Sequence, residues 1–581
     1  MKSLISALSD KGIIALCAVI CLTPFAHLHF VETLSPAAMF GIGAILFVFA
    51  CLYILPFPNT KSKYLVTVLL KQRWIVIAML AWLLLIAISV VVMDSGKLVF
   101  SMTLAAFVMG WLVFVESRSE NNMMNIVRAL GISALIVIVF ALFETFDVQP
   151  ISTWLNTFNG DAPFVDIVRI SSILDHPNHM AAYLELTLPF VLVWMSAASH
   201  QALKQILAFA LAIGLIVFVL SLSRGGMLSF GIALVTFGIF AFYARQKLLA
   251  LTSLTMVGII ILAVVAQVLV TPRIWVRYLS EGSNDLWYRA VFHVQEAVQA
   301  EPGQALHLSV DVTNTGLFEW ETEGSQPVNL GYHIICWDED TPASLAGVDM
   351  SSLYYLTTQG PRTALPYNVA QGETVTLNVS LTAPTAPGHY LIAWDMVQES
   401  VTWFNEKGLV PAATALDVAG VATSSTCGTQ VYKQAEKPDH PSRLKVWRTA
   451  LQVIRDNPWM GIGVGNFDAY YDRYNGDEFH VPHPHNSYLT LLVDFGVFAS
   501  LFIAFALFSI ARMLVKARPS ADDKRGWHIW FAICVALTSI GLHGVVESFN
   551  YRANIFLVVC VIVGVAARLA VEKGNRAGEA V

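Results

Sequence analysis

Apolar runs of about 20 residues, the helix length that crosses a hydrocarbon core of about 30 Å, recur along the chain. They predict an all-α polytopic membrane bundle of about 12 transmembrane helices. The runs lie near residues 12–30, 37–56, 74–93, 98–115, 127–146, 178–197, 204–221, 226–243, 248–270, 487–511, 527–546 and 552–571. The first run follows Lys2 and Lys11 as a signal peptide would, but it lacks a small-residue cleavage site, so we interpret it as a retained anchor.

Residues near 300–420 follow a different pattern, with apolar and polar positions alternating in short runs. Examples are Leu306–Val312, Thr374–Ser380 and Tyr390–Trp394, separated by Asn-Thr-Gly, Gln-Gly and Ala-Pro-Gly turns. Period-two alternation with such turns predicts an antiparallel β-sandwich. The stretch resembles bacterial immunoglobulin-like modules, which implies an inserted periplasmic all-β domain. It either contacts a glycan or partner, or serves as a rigid spacer.

Four domains follow from these patterns. Residues 1–298 form an N-terminal transmembrane region of about nine helices and the start of the exported loop. Residues 299–420 form the β-sandwich insert. Residues 421–486 form a helical loop, and residues 487–581 form a C-terminal transmembrane region of about three helices.

The helical loop contains an amphipathic segment, 443–455. Leu444, Trp447, Leu451 and Ile454 recur every three or four residues, which places them on one helical face. Such a helix could lie on the bilayer surface or over a site cut into it.

The distribution of basic residues predicts the orientation in the membrane. Of the 35 Lys and Arg residues, only Lys97, Arg169, Arg224 and Arg552 fall in short loops on the side opposite the N-terminus. Basic residues collect in short cytoplasmic loops. We therefore expect a multi-pass membrane protein with both termini cytoplasmic and the long loop exported.

The composition agrees with a membrane protein: 56% of residues are hydrophobic and 13% are charged, against roughly 25% charged in soluble chains. A soluble globular enzyme is excluded on this basis, and the absence of a polybasic run argues against nucleic acid as a partner. Among seven cysteines, only Cys336 and Cys427 lie in the exported segment, where they could form a disulfide.

Arg224 is the first candidate for chemistry, because it sits with two glycines in a very short outer turn between predicted helices. A guanidinium there can hold phosphate oxygens in a bidentate fork. The alternative is a basic residue that reaches the lipid headgroups.

The segment His480–Leu489 places three histidines directly before a membrane helix. His485 could accept a proton from a sugar hydroxyl, while His483 and Asn486 bind substrate or fix the geometry. Two alternatives are a transition-metal site, for which no clear carboxylate or cysteine set is evident, and a solvated loop with incidental histidines.

A second polar cluster, Asp175–His179, precedes the sixth predicted helix on the same face. Ionisable residues within membrane helices are costly unless paired, so we expect Glu185 and Asp494 to be paired inside the bundle. We expect Glu547 and Arg552 to reach the outer mouth.

Several of these motifs resemble those of the bacterial O-antigen ligase family. They are Arg224-x3-Leu228, His485-Asn486 followed by nine residues and then Gly496, the stretch Trp447–Gly465, and Asp175–Ala181 with its Pro-Asn pair. One departure is Ala499, where the family commonly has Gly, Thr or Tyr. The departure weakens the distinction between a ligase and its relatives.

The resemblance implies a metal-independent glycosyltransferase without a cofactor, acting on an undecaprenyl-pyrophosphate-linked glycan in the bilayer. His485 would be the base and Arg224 would stabilise the departing pyrophosphate. The acceptor would be lipid A-core, another glycan or a protein. Further candidates for substrate binding are Asn486, His483, Arg448, Arg443, His179 and Glu547.

The alternatives are a polysaccharide polymerase and a protein O-oligosaccharyltransferase, which the motifs do not separate from a ligase. A transporter or flippase is a different class, less compatible with the long exported loop and the paired motifs.

Overall fold

The chain divides into two compact units, residues 1–270 with 441–581 and residues 271–440. The structure is a computed structural model. It describes residues 2–27, 77, 82–87, 89, 97–156, 169–270, 287–323, 326–336, 345, 353, 355–357, 360–399, 402–420, 443–475 and 481–579.

The first unit is helical in its described parts. Its helices are α1 (Lys2–Cys21), α2 (Lys97–Glu116), α3 (Glu120–Thr145), α4 (Ile151–Asn156), α5 (Pro177–Ala197), α6 (Gln201–Leu220), α7 (Arg224–Tyr243), α8 (Lys247–Val270), α9 (Arg443–Asp456), α10 (Phe467–Asn475), α11 (Ser487–Phe495), α12 (Val497–Ala517), α13 (Lys524–His543) and α14 (Ala553–Glu579). A short 3-10 helix spans Thr23–His27.

Eight of the described helices are long and apolar enough to cross a membrane, so the chain is a multi-pass membrane protein. They are α3, α5, α6, α7, α8, α12, α13 and α14. Shorter apolar stretches lie at Gly12–Cys21 in α1 and Met102–Glu116 in α2. The predicted span 37–56 and most of 74–93 lie outside the described residues, so a total of 12 spans stays a prediction.

The predicted span 487–511 is divided in two by Gly496, which has φ +62°. A Cβ on this residue would lie 2.6 Å from the Pro458 carbonyl oxygen, and the same oxygen accepts a hydrogen bond of 2.8 Å from Val497 N. The close approach of two backbones requires glycine here. The short α11 is thereby separated from α12, the helix long enough to span a membrane.

Burial differs sharply between the helices. In α5, 78% of the most apolar window is buried inside the protein, whereas in α12 the fraction is 17%. Helix α5 therefore lies at the centre of the bundle and α12 at its periphery, where its exposed Leu501 and Phe508 face outward. Pro177 at the first turn of α5 and the preceding His176, which accepts from Asn178 N, begin this central helix.

Helices α2 and α14 approach each other closely through glycine. A Cβ at Gly110 would lie 2.7 Å from the Cys560 carbonyl oxygen, and one at Gly564 would lie 2.4 Å from the Gly110 carbonyl oxygen. Small residues at such contacts permit the backbone packing that holds membrane helices together.

The second unit contains two β-sheets. Its strands are β1 (Ala290–His293), β2 (Ala297–Ala300), β3 (Ala305–Asn314), β4 (Val328–Cys336), β5 (Tyr355–Thr357), β6 (Thr363–Ala364), β7 (Thr374–Thr382), β8 (Gly388–Gln398), β9 (Thr402–Trp403) and β10 (Ala412–Val418). The smaller sheet has the order β1-β3-β7, and the larger has the order β2-β10-β8-β4-β5, with β6 paired to β4 and β9 to β8.

The predicted β region is thus confirmed. Alternate residues are buried along β3 and β7, as the period-two pattern predicted, whereas most of β8 is buried on both faces. Pairing is antiparallel except between β2 and β10. An immunoglobulin-like sandwich stays a prediction.

Cys336 at the end of β4 is disulfide-bonded. The predicted partner, Cys427, lies outside the described residues, so their pairing also stays a prediction.

Candidate functional site

Four segments of the helical unit meet at one end of the bundle. They are the start of α5, the turn between α6 and α7, the His483–Asn486 turn before α11, and the segment Gly544–Arg552 between α13 and α14. The first turn of α9 joins them through Arg443, which donates to the Val546 carbonyl oxygen at 2.7 Å.

The turn that carries His485 is held on several sides. His485 has φ +50°, and its N–H donates to His483 Nδ1 at 3.3 Å. Trp447 of α9 donates from Nε1 to the Pro484 carbonyl oxygen at 2.9 Å. A non-glycine residue at positive φ is uncommon and is kept there only by its surroundings. These contacts fix the backbone on which the candidate base sits.

Glu547 is the carboxylate partner of His485. Its Oε1 lies 3.1 Å from His485 Nδ1 and accepts from Ser548 N at 3.0 Å. Its Oε2 accepts from the Asn178 side chain at 2.6 Å and lies 3.9 Å from an Arg443 nitrogen. The side chain is 3% exposed. A buried charge needs such partners.

Two opposing effects act on the ionisation of Glu547. Burial favours the neutral acid, but the hydrogen bond from His485 and the nearby imidazoles outweigh it and hold the pKa of Glu547 well below its usual range. Glu547 is therefore a carboxylate at neutral pH. Because a carboxylate accepts hydrogen bonds, His485 presents Nδ1–H to it, and Nε2 is the ring nitrogen that can accept a proton.

Asn178 and Arg169 belong to the site, although the sequence did not single them out. Asn178 bridges Glu547 and Arg169, whose guanidinium donates to Asn178 Oδ1 at 3.0 Å and to the Ser221 carbonyl oxygen at 3.1 Å. The Pro-Asn pair of the Asp175–Ala181 motif contained the signal for Asn178.

The Asp175–His179 cluster forms a second ion-paired group beside the first. Asp175 Oδ1 lies 2.8 Å from His179 Nδ1, and its Oδ2 accepts from Arg552 at 3.2 Å. Burial, together with the charge of neighbouring His179, lowers the pKa of His176 to about 3. Burial and the charge of His485 likewise lower the pKa of His483 to about 3. Both imidazoles are neutral around pH 7.

Asn486 is the N-cap of α11. Its Oδ1 accepts from Tyr488 N at 2.9 Å and from Leu489 N at 3.0 Å, and its own N–H donates to Ser548 Oγ at 2.9 Å. This capping role was not predicted; substrate binding by Asn486 stays a prediction.

Arg224 is the first residue of α7, partly exposed at the same end of the bundle. Its neighbour Gly225 lies against Val546, which precedes Glu547: a Cβ on Gly225 would be 2.6 Å from Val546 Cγ2. The arginine motif and the histidine motif therefore share one neighbourhood.

Helix α9 contacts this site through Arg443 and Trp447, but the face that it buries is not the predicted apolar face. Val446, Ala450 and Val453 form its buried face, while Leu444 and Leu451 of the predicted apolar face are each 56% exposed. Arg448 is exposed on the same helix.

The arrangement also has the geometry of a possible metal site. Ligand atoms of His483, His485 and Glu547 lie within 4.8 Å of one another. His480, the third histidine of the motif, lies outside the described residues.

The predicted pairing of the deeper acids is confirmed, with Glu185 contacting His543 and Asp494 contacting Tyr551.

Fold and site together define a multi-pass membrane protein in which a partly exposed histidine contacts a buried carboxylate, with arginines nearby, at one end of its helical bundle. Residues 391–505 match the family model described as O-antigen ligase. This match confirms the resemblance to the O-antigen ligase and polymerase family and supports a membrane glycosyltransferase of that general kind. No curated protein matches the chain.

The matched segment runs from β8 into α12. It contains Arg443, Arg448, His483, His485 and Asn486. Arg224, His179 and Glu547 lie outside it and are joined to the histidine motif by the contacts described above.

Proposed function

We propose that the protein transfers a glycan from undecaprenyl pyrophosphate to an acceptor hydroxyl, on the periplasmic side of the bacterial inner membrane, as an O-antigen ligase does. The contact between His485 and Glu547 is the observation that carries the proposal. It provides an oriented imidazole whose second nitrogen can accept a proton.

In the proposed reaction, His485 Nε2 takes the proton of the acceptor hydroxyl as its oxygen attacks the anomeric carbon. The bond from that carbon to the pyrophosphate oxygen breaks in the same displacement. Glu547 touches no reacting atom; it fixes the tautomer of His485 and stabilises the imidazolium that forms.

Negative charge develops on the departing pyrophosphate, and arginine is suited to receive it. Arg224 is our principal candidate, because it begins α7 beside Val546. Arg443 is the second candidate, with one guanidinium nitrogen on the Val546 carbonyl oxygen and another near Glu547. His179, His483, Asn486 and the exposed Arg448 are proposed contacts to the glycan.

A cavity of about 370 Å³ supports a lipid-linked donor. Its walls are apolar, with Trp82, Phe107, Phe502 and Phe556 among them, and Ser487 and Asn550 add polar groups. Ser487 follows the histidine motif directly, so the cavity adjoins the proposed base. An isoprenoid chain has the chemistry to fill an apolar space of this kind.

The proposal can be tested with purified wild-type protein, Arg224→Ala and His485→Ala in the presence of EDTA. Each would be given a lipid-pyrophosphate glycan and one of three acceptors: lipid A-core, a second lipid-linked glycan or a protein. We expect transfer by the wild type to lipid A-core and loss of transfer in both folded variants.

The other outcomes are equally specific. Transfer only to a second glycan would identify a polymerase, and transfer only to Ser or Thr would identify a protein glycosyltransferase. Full activity of both variants would overturn the residue assignment. Activity abolished by EDTA and restored by a divalent cation would instead support a metal bound by His483, His485 and Glu547.

A further inference from the structure

An acid and an imidazole that the proposed reaction does not use lie inside the helical bundle. Glu185 of α5 and His543 of α13 are 0% and 1% exposed, and His543 Nδ1 lies 2.8 Å from Glu185 Oε1. The other carboxylate oxygen accepts from Ser539 at 2.5 Å and from Ser229 at 3.4 Å. Ionisable groups are costly among membrane helices, and a retained pair calls for a function.

The second nitrogen of His543 faces the arginine motif. Nε2 lies 3.4 Å from Ser223 Oγ, and Ser223 is the N-cap of α7, accepting from Gly226 N at 3.3 Å. The two ring nitrogens of His543 thus have separate partners, Nδ1 the Glu185 carboxyl group and Nε2 the Ser223 hydroxyl group.

The two glycines that follow Arg224 lie directly on this pair. A Cβ on Gly225 would be 3.1 Å from the His543 ring, and one on Gly226 would be 2.8 Å from Glu185 Oε1. A larger side chain at either position would require the start of α7 or these neighbouring side chains to move. Glu185 and His543 are therefore among the groups against which the two glycines pack.

We infer that Glu185 and His543 are positioning residues, which set the place of Arg224 by holding the residues on either side of it. A hydrogen bond holds Ser223, and packing contacts hold Gly225 and Gly226. The backbone of Arg224, which lies between them, is therefore fixed in place. The inference rests on the proposed function, because it assumes that Arg224 acts on the leaving group. Positional errors of about 1 Å in such groups cost roughly a hundredfold in rate.

A double-mutant cycle tests the inference. His543→Asn retains a donor toward Glu185 but withdraws the ring from Ser223. Arg224→Lys keeps the positive charge but loses the planar fork of donors. We expect His543→Asn to lower kcat roughly 10- to 100-fold with little change in KM. In the Arg224→Lys background it should cause little further loss, because a lysine no longer depends on that placement.

Ser253→Ala is the matched control, since Ser253 is a buried serine of α8 that contacts α7 elsewhere, donating to the Leu234 carbonyl oxygen at 2.6 Å. It should leave kcat unchanged. If His543→Asn does not fold, Glu185→Gln enters the same cycle, because it replaces the carboxylate that His543 Nδ1 contacts and leaves the Ser223 cap of α7 in place.

Equal losses from His543→Asn in both backgrounds, or wild-type kcat in His543→Asn, would overturn the inference while leaving Arg224 in its role. Full activity of Arg224→Lys and Arg224→Ala would instead remove Arg224 from the proposed mechanism, and absence of transfer by the wild type to any of the three acceptors would refute the proposed function itself. The two failures are thus distinguishable.

Discussion

Individual side chains in the site often serve the fold and the chemistry together. His176 and Asn486 each begin a helix while lying beside Glu547 or His485, and Trp447 holds the turn that carries His485, the proposed base. From residue type alone, each of the polar side chains in the site could be given a role in binding or catalysis. The capping roles of His176 and Asn486 depend on where the helices begin. A sequence shows that a helix exists more reliably than it shows at which residue the helix begins.

For Asn486, substitution separates capping from substrate contact. Asparagine and aspartate are both good N-caps, whereas loss of the cap costs about 1 kcal/mol. We expect Asn486→Ala to lower the unfolding temperature in detergent and Asn486→Asp to retain it. Aspartate that preserves stability but abolishes glycan transfer would show that the amide contacts substrate.

The lowered pKa of His176 should make the stability of the fold depend on pH. Its pKa is about 3 in the folded protein and ordinary when unfolded, so between these values the unfolded chain binds the extra proton. Acidification from pH 7 to pH 4.5 should therefore destabilise the fold, by up to about 1.4 kcal/mol per pH unit for this group.

His176→Asn keeps a side chain that can cap α5 and removes the titrating ring. Thermal unfolding across this pH range should show a shallower decline in that variant than in the wild type. Identical declines would contradict the assigned burial of the neutral imidazole.

At the scale of elements, apolar length predicted most helices correctly, because the bilayer demands a continuous run whatever the tertiary packing. The division of 487–511 was missed. Gly496 looks ordinary within an apolar run, and its partner Pro458 lies far back in the chain. The alternating strands β3 and β7 were predictable, whereas the pairing order of the sheets depends on contacts that no local pattern encodes.

The packing of α2 on α14 gives a test at this scale. Gly110→Ala places a Cβ against the Cys560 backbone, which cannot move aside as a flexible side chain would. Overpacking of this kind costs about 1–3 kcal/mol. Gly258→Ala in α8 is the control, because nothing lies within 4 Å of its added Cβ.

We expect the Gly110 variant to unfold at a lower temperature in detergent and the Gly258 variant to match the wild type. A wild-type unfolding temperature for Gly110→Ala would mean that the two helices are not packed as closely as described.

Over the whole molecule, the sequence offered candidate residues but could not show how they meet. Arg224, His485 and Glu547 were all candidates, but Asn178 and Glu547 are separated by 369 positions, and their hydrogen bond arises only when α5 and the α13–α14 segment come together. Packing of the helices thus brings three separate motifs together around one carboxylate, that of Glu547.

The proposed function depends most on His485 as the base of glycan transfer. Single-turnover transfer from a lipid-pyrophosphate glycan, measured for wild type, His485→Ala and His528→Ala, tests it most directly. His528 lies near the opposite end of α13 from His543 and contacts only Lys524 among the hydrogen bonds described for it.

Loss of a general base lowers a rate by roughly 10²- to 10⁴-fold. We expect a loss of that order in His485→Ala and the wild-type rate in His528→Ala. A wild-type rate in folded His485→Ala would contradict this role of His485.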